Sequence, residues 1–239
     1  MLTARLGHLI LTVSSYGPDH AASGAPSGND AGVDPGSVRY GLYLRPDPAT
    51  CRALAAMYDL LQRQYGLRIA GRFMPHATVK GFFRSDAAPA EMVACLDHAL
   101  TGLQAFPVTN RGPIRYGPTS IVLDIHHEES GERNDPLQAL HEAVLGALLP
   151  LVHHDCAFTR VEGLADRFHA HLTLAMIDLP SWLGDEVLTF LQDLGPVGPA
   201  RFTADTLHLF AFRSDAWDGA WWETMSWVPL HGWRLSPVV

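Results

Sequence analysis

The sequence predicts a mixed protein of strands and helices, built as two similar halves. The chain has 239 residues, of which 47% are hydrophobic and 18% charged, as is typical of a globular protein. The order strand, helix, strand, helix, strand occurs twice, and a His-x-Thr triplet stands in the third element of each half. The halves have little residue identity, so the prediction of two similar lobes rests on the order of their elements.

Residues 1–37 are predicted to be a flexible extension ahead of one folded unit, residues 38–239. Residues 14–37 are rich in Gly, Ser, Ala, Pro and Asp, and such a segment cannot bury enough apolar surface to fold. The opening MLTARLGHLILTV has a short apolar stretch without a good cleavage region after it, so we expect no signal peptide. No apolar run approaches the roughly 20 residues of a membrane span. We therefore expect a cytoplasmic protein with no membrane partner.

The first half begins with the strand VRYGLYLRP at Val38. Asp47-Pro48 then supplies an N-cap and a proline in the first helical turn, and apolar residues at helical spacing continue to Gly66. RFMPHATVKGFF is predicted as the next strand, followed by a helix from Pro89 and by the extended stretch FPVTNRGPIRY. The half thus has three extended elements separated by two helices.

The second half repeats this order. TSIVLDIHH is predicted as a strand, Asp135-Pro136 begins a helix that ends at Pro150, and FHAHLTLAM is the next strand. A helix from Ser181 ends at Gly195, and strands near ARFTADTLHLFAF and WWETMSWVPLHGW complete the chain.

The stretch FHAHLTLAM alternates polar and apolar residues with the period of a strand. His169, His171 and Thr173 therefore share one face, and the apolar residues cover the other. PHATVKGFF in the first half contains the matching triplet, in which His76 aligns with His171 and Thr78 with Thr173, 95 residues apart. A triplet this short is meaningful because both copies occupy matching strands.

Two histidines that meet at one site can supply a general base and a general acid together. The unperturbed pKa of histidine, about 6.5, allows both roles near neutral pH, and each role contributes about 100- to 10,000-fold to a rate. A threonine hydroxyl beside each imidazole can hold a phosphoryl oxygen. We therefore predict cleavage of a phosphodiester without a metal or other cofactor, with His76 and His171 as catalytic residues and Thr78 and Thr173 as phosphate-binding residues.

Four further residues are weaker candidates for contact with the phosphate or with the rest of the substrate. Lys80 follows Thr78 at the strand period and is the only lysine of the chain, which is equally consistent with a phosphate contact and with a solvated strand end. Phe82 and Phe168 flank the two motifs and can either stack on a substrate base or pack in the protein. His169 extends the face of the second motif and can either contact the substrate there or lie at the protein surface.

PHATVKGFF and HAHLTLAM resemble the paired motifs of the 2H phosphoesterase superfamily, which includes 2′,5′ RNA ligase-like proteins and 2′,3′-cyclic nucleotide phosphodiesterases. The resemblance covers residues 38–239 and is strongest in HATV, residues 76–79, and HLTL, residues 171–174. It implies an α+β fold of two pseudo-symmetric lobes, each an antiparallel sheet with outer helices, whose sheets line one central cleft. It also implies metal-independent opening of a cyclic phosphate, usually a 2′,3′-cyclic end to a 2′-phosphate, or cleavage of a 2′,5′ linkage.

The expected partner is a small nucleotide or an RNA terminus. A net charge of −8 with 17 basic residues argues against a groove for long duplex nucleic acid. The main alternative function is a non-catalytic binder of nucleotides or RNA ends. In that alternative, the C-terminal tryptophans could form a base-stacking platform, although large aromatic residues more often pack in a core: Trp217, Trp221, Trp222, Trp227 and Trp233.

A histidine-ligated metal hydrolase is the less favoured alternative. Histidines and carboxylates cluster in HHEES, residues 126–130, and in HHD, residues 153–155. Zinc requires three or four converging ligands, and adjacent histidines such as His153 and His154 diverge in an extended chain. The three cysteines are far apart and form neither a disulfide framework nor a zinc ribbon.

Overall fold

A computed structural model describes residues 38–156 and 167–237, so the predicted extension, residues 1–37, lies outside the described residues. Within these ranges the strands are β1 Val38–Arg45, β2 Ala77–Phe83, β3 Phe106–Thr109, β4 Pro113–Arg115, β5 Ile121–Asp124, β6 His171–Ala175, β7 Arg201–Ala204, β8 Thr206–Arg213 and β9 Ser226–Arg234. The helices are α1 Pro48–Tyr65, α2 Pro89–Leu100, α3 Asp135–Leu148 and α4 Gly184–Asp193. None of the helices in the described part of the chain has both the length and the apolar character needed to cross a membrane.

Seven strands form one antiparallel sheet in the order β4-β5-β6-β2-β1-β8-β9, and β3 pairs with β7 in a small separate sheet. This arrangement of antiparallel sheet and helices confirms the predicted α+β class. Strands of the two sequence halves pair at three places, β4 with β5, β6 with β2 and β1 with β8, so the halves alternate within one continuous sheet. The two pseudo-symmetric lobes and their common cleft stay a prediction.

The seven-stranded sheet has two differently covered faces. One face packs against the four helices and forms the main core, to which β2 contributes Ala77 and Val79 and β6 contributes Leu172 and Leu174. The other face carries a second cluster of buried aromatic side chains, here called the aromatic cluster: Tyr43, Phe73, Phe82, Phe210, Phe212 and Trp221. The remaining C-terminal tryptophans pack against one core or the other: Trp217, Trp222, Trp227 and Trp233.

The helix starts follow the capping rules used in the prediction, with one shift. The Asp47 carboxylate accepts a hydrogen bond from the Thr50 amide at 2.8 Å, and α1 ends at Gly66, whose φ of 73° is left-handed. The cap of α3 is Asn134 and not Asp135, because the Asn134 side chain accepts the hydrogen bond from the Leu137 amide at 2.9 Å. The predicted helix is therefore correct, and its cap lies one residue earlier.

The strands that carry the motifs are shorter than predicted. β2 begins only at Ala77, where its pairing with Leu44 of β1 begins. β6 begins at His171, so residues 168–170 of the predicted strand lie outside it. The stretch FPVTNRGPIRY is divided between β3 and β4, which belong to different sheets and are separated by Gly112 with a φ of 91°.

Candidate active site

The pairing of β2 with β6 brings the two motifs together. These antiparallel strands are joined by one residue pair, Ala77 and Leu172. This register sets Thr78 across from His171 and His76 across from Thr173. Because Ala77 and Leu172 both lie in the main core, the residues beside them point to the opposite face of the sheet. The four predicted residues thus share one face, here called the motif face, and each histidine lies across from the threonine of the other motif.

The two motif histidines are held by the same kind of hydrogen bond. Nδ1 of His76 donates to the Met74 carbonyl at 2.7 Å, and Nδ1 of His171 donates to the His169 carbonyl at 2.7 Å. A carbonyl oxygen can only accept, so each ring carries its proton on Nδ1 and, when neutral, has its lone pair on Nε2. Nε2 is therefore the atom that each ring can use to take up or release a proton at the motif face.

Both motif histidines are neutral at pH 7 because they are buried. His76 is 7% exposed and His171 is 8% exposed. Burial lowers the pKa of each to about 4, against an ordinary value of 6.5. The hydrogen bonds to the carbonyls raise both values, whereas the charges of His171 and Arg45 lower the pKa of His76 further.

Aromatic and basic side chains of β1 surround His76. The Tyr43 ring lies edge-on to the His76 ring, with centroids 4.8 Å apart, and Tyr43 also pairs with Thr78 in the β1–β2 register. Arg45 donates from Nε to the Pro75 carbonyl at 3.1 Å, directly before His76. The sequence prediction missed Tyr43 and Arg45, because their proximity depends on the pairing of β1 with β2.

The surroundings of His171 are more polar. Asp124 on β5 pairs with His171 in the register, and the Tyr116 ring lies 4.6 Å from the His171 ring. His169 stacks at 6.4 Å from His171, and its Nε2 lies 3.5 Å from the Asp124 carboxylate. Of these residues only His169 was predicted from the sequence. The polar ending of TSIVLDIHH was the available signal for Asp124.

Lys80 does not lie on the motif face. Tyr43 pairs with Thr78, whereas the preceding residue Leu42 pairs with Lys80, so Val79 is an extra residue in β2. Such a bulge turns two successive side chains to the same side of a sheet. Leu42 and Val79 belong to the main core, and Lys80 is 0% exposed. This register shift places Lys80 on the other side of the sheet from the motif face, and its role as a phosphate-binding residue stays a prediction.

Three of the weaker candidates are built into packed regions. The Lys80 amine donates to the Gly81 carbonyl at 3.2 Å. Phe82 is 3% exposed within the aromatic cluster. Phe168 stacks on His141, with ring centroids 4.0 Å apart and an interplanar angle of 2°. The contacts of Phe82 and Phe168 are those expected from the packing alternative.

One group of side chains within residues 38–156 and 167–237 has metal-ligating atoms close together. The ligand atoms of His153, His154 and Asp155 lie within 4.8 Å of one another. The rings of His153 and His154 stack at 4.3 Å in a turn, and thus do not diverge as they would in an extended chain. The Arg84 guanidinium lies 2.5 Å from Nδ1 of His153, and this positive charge opposes the binding of a cation. The group contains none of the motif residues.

Comparison with known proteins supports the assignment of family and fold. A model of the 2'-5' RNA ligase superfamily matches residues 46–216, a range that includes both motifs. TT0787 of Thermus thermophilus is 14% identical, with a TM-score of 0.56 over 83% of this chain and 98% of that chain. E. coli LigT complexed with phosphate is 15% identical, with a TM-score of 0.48 over 84% and 98%. Usb1 of Kluyveromyces marxianus is 11% identical, with a TM-score of 0.38 over 81% and 97%.

No curated protein matches the sequence. At 14% identity, the similarity to TT0787 shows a shared fold. The family match covers well over half of the chain and both His-x-Thr motifs. This chain belongs to the 2'-5' RNA ligase superfamily, whose members are the 2H phosphoesterases that its paired motifs resemble.

Proposed function

We propose that the chain is a metal-independent phosphodiesterase that opens a 2′,3′-cyclic phosphate to a 2′-phosphate, with cleavage of a 2′,5′ linkage as the related reaction at the same site. Membership of a superfamily of phosphoesterases supports a phosphoesterase-type enzyme. The observation that supports the specific reaction, catalysed by two histidines, is the pairing of Ala77 with Leu172, because its register brings both motifs to one face of the sheet.

In the proposed reaction, Nε2 of one motif histidine takes a proton from water while the water oxygen attacks phosphorus. The bond between phosphorus and the 3′ oxygen breaks, and the other histidine donates a proton to that oxygen. Water is thus added across the P–O3′ bond, and the two histidines exchange protonation states. Proton exchange with solvent restores the pair for the next turnover. The hydroxyls of Thr78 and Thr173 donate to the phosphoryl oxygens, whose negative charge increases in the transition state.

The reaction requires one proton on the pair formed by His76 and His171. Burial lowers the pKa of both rings to about 4, so the free protein is mostly in the doubly neutral state at pH 7. A bound phosphodiester anion favours the charged form of a nearby imidazole and raises its pKa. Substrate binding therefore promotes uptake of the proton that the acid must deliver.

The proposal is tested with a panel of small substrates. The panel contains 2′,3′-cyclic nucleotides, ADP-ribose 1″,2″-cyclic phosphate and 2′,5′-oligoadenylate, and phosphorus NMR identifies the product. We expect a 2′-phosphate from the 2′,3′-cyclic substrates, with no loss of rate in EDTA. His76→Ala and His171→Ala should each lower kcat by about 100-fold or more. His154→Ala is the matched control, because its side chain is 82% exposed.

Each alternative function predicts a different result in the same assay. Unchanged activity in either His76→Ala or His171→Ala would refute the proposal. Binding of a 2′,3′-cyclic nucleotide without turnover would support a non-catalytic binder. Loss of activity in EDTA and recovery with added zinc would support a metal hydrolase.

A further inference from the structure

The chain immediately before β6 is held by the end of β5. Ala170 lies outside the strand, and its amide donates to Nδ1 of His126 at 3.3 Å. The Ile125 amide donates to the Ala170 carbonyl at 3.4 Å. An imidazole nitrogen of His126 therefore accepts a main-chain hydrogen bond that a neighbouring strand would otherwise accept.

A buried carboxylate organises the same region. The Asp124 carboxylate accepts a hydrogen bond from the His126 amide at 2.9 Å, and its other oxygen lies 3.0 Å from Nδ1 of His127. Nε2 of His169 lies 3.5 Å from the first of these oxygens. The Asp124 side chain is 8% exposed, so water screens these interactions weakly. Asp124 thus connects the main chain at His126 with the ring of His127.

These contacts converge on the group that orients His171. The His169 carbonyl accepts the hydrogen bond from Nδ1 of His171, which keeps the lone pair of the ring on Nε2. The residue after His169, Ala170, is held through its amide by His126, whose own amide donates to Asp124. Movement of the dipeptide formed by His169 and Ala170 would move the carbonyl that fixes the His171 ring.

We propose that Asp124 and His126 are positioning residues of the second motif, in which Asp124 holds His126 and His126 holds Ala170, so that the carbonyl of the adjoining His169 keeps His171 in its Nδ1-protonated tautomer. The importance of this tautomer for turnover rests on the proposed function. The tautomer itself is a property of the free protein.

The first motif is supported differently, which makes the inference specific to the second. The Met74 carbonyl that orients His76 belongs to a residue packed in the aromatic cluster, and Arg45 donates to the Pro75 carbonyl. Apolar packing and an arginine thus replace the carboxylate and the imidazole acceptor. Variants at Asp124 or His126 should therefore leave the tautomer of His76 unchanged.

The test compares His126→Ala with His126→Asn. The Asn side-chain oxygen lies as far from the backbone as Nδ1 of histidine, so it can still accept from the Ala170 amide. We expect His126→Ala to lower kcat by about 10- to 100-fold with KM changed less than about twofold, and His126→Asn to recover most of the rate. Asp124→Asn keeps an oxygen acceptor and removes the charge, and we expect an intermediate loss. His154→Asn is the control and should match the wild type.

Nitrogen–proton NMR correlations of the imidazole rings provide a readout that does not require substrate. We expect the wild type and His126→Asn to show His171 protonated on Nδ1, and His126→Ala to show a mixture of tautomers. Equal kcat in the Ala and Asn variants, or an unchanged His171 tautomer in His126→Ala, would overturn the inference. If His126→Ala does not fold by circular dichroism, His126→Gln replaces it, because its oxygen lies farther from the backbone than Nδ1.

The NMR experiment also separates this inference from the proposed function. A wild-type protein with the fixed His171 tautomer and no turnover of any substrate in the panel would refute the proposed function only. Turnover together with a His171 tautomer that is insensitive to His126 would refute the positioning role only.

Discussion

Acid should destabilise this protein through its two motif histidines. Burial gives His76 and His171 a folded-state pKa of about 4, whereas the ordinary value is 6.5. The stability that comes from burying neutral rings is therefore fully present above pH 6.5 and is lost as the pH falls toward 4, because the unfolded chain binds protons that the folded chain does not. At pH 5 the loss is about 2 kcal/mol for each ring, or about 4 kcal/mol for the pair.

This loss is large enough to measure in a protein whose total stability is of the order of 5–15 kcal/mol. Urea unfolding followed by tryptophan fluorescence at about pH 7.5 and pH 5 gives the free energy of unfolding at each pH. His76→Asn and His171→Asn each keep a side-chain N–H donor for the carbonyl and remove the titrating ring. Each variant should therefore lose about 2 kcal/mol less than the wild type between the two pH values.

The quantity compared is the change in the free energy of unfolding between the two pH values. Any packing that a variant loses lowers its stability equally at both pH values and does not affect this change. His154→Asn is the control, and its pH dependence should equal that of the wild type, since the His154 side chain is 82% exposed. Burial also lowers the pKa of His126 to about 4. His126 is present in all these proteins, so its contribution to the pH dependence cancels in the comparison. The same pH dependence in His76→Asn as in the wild type would refute the argument that this ring is buried in its neutral form.

Three further predictions concern activity. The kcat/KM for a 2′,3′-cyclic nucleotide should be highest below pH 6.5, because only the singly protonated pair is active and both rings have a lowered pKa; a maximum in alkaline solution would contradict this. Thr78→Val and Thr173→Val should each lower kcat by about 10- to 100-fold, with Ser variants close to wild type in the same initial-rate assay; Val variants at wild-type rates would exclude a role for the hydroxyls. Lys80→Met should change KM less than about threefold, because the amine lies on the side of the main core; a tenfold increase would support Lys80 as a phosphate ligand.

Much of the fold could be predicted because local signals and tertiary contacts agree. The cap at Asp47 and the left-handed Gly66 bound α1 as the sequence indicates. The alternation in HLTL correctly places His171 and Thr173 on one face of β6, because Leu172 and Leu174 belong to the main core. The same reasoning could not locate the ends of β2 and β6, since these depend on which neighbouring strand supplies hydrogen bonds.

The placement of Lys80 away from the motif face has a definite physical cause. A period of two assumes an uninterrupted strand, and one extra residue at Val79 reverses the side on which Lys80 lies. The bulge belongs to the pairing with β1, so the sequence of β2 alone does not reveal it. A lysine between Val79 and the apolar run GFF was nevertheless consistent with a buried position.

The residues that support His171 could not be identified from the motif. Asp124, His126 and Tyr116 come from β5 and its neighbours, about 45–55 residues before His171 in the chain. They are brought to the site by the pairing of β5 with β6, and long-range pairing is the part of a sheet that periodicity does not determine. The polar ending DIHH after an apolar strand was a sign of a special environment but not of its partner.

Because one residue pair joins β2 to β6, the proposed activity should depend on a strand contact that local motion can open more easily than the rest of the sheet. A local fluctuation that separates these strands would part His76 from His171 and would also open the main core at Ala77 and Leu172. A ligand that contacts both strands would stabilise their pairing, so bound substrate should reduce this motion. Slower amide hydrogen exchange at Ala77 and Leu172 with a bound phosphate ester than without it would show this stabilisation directly.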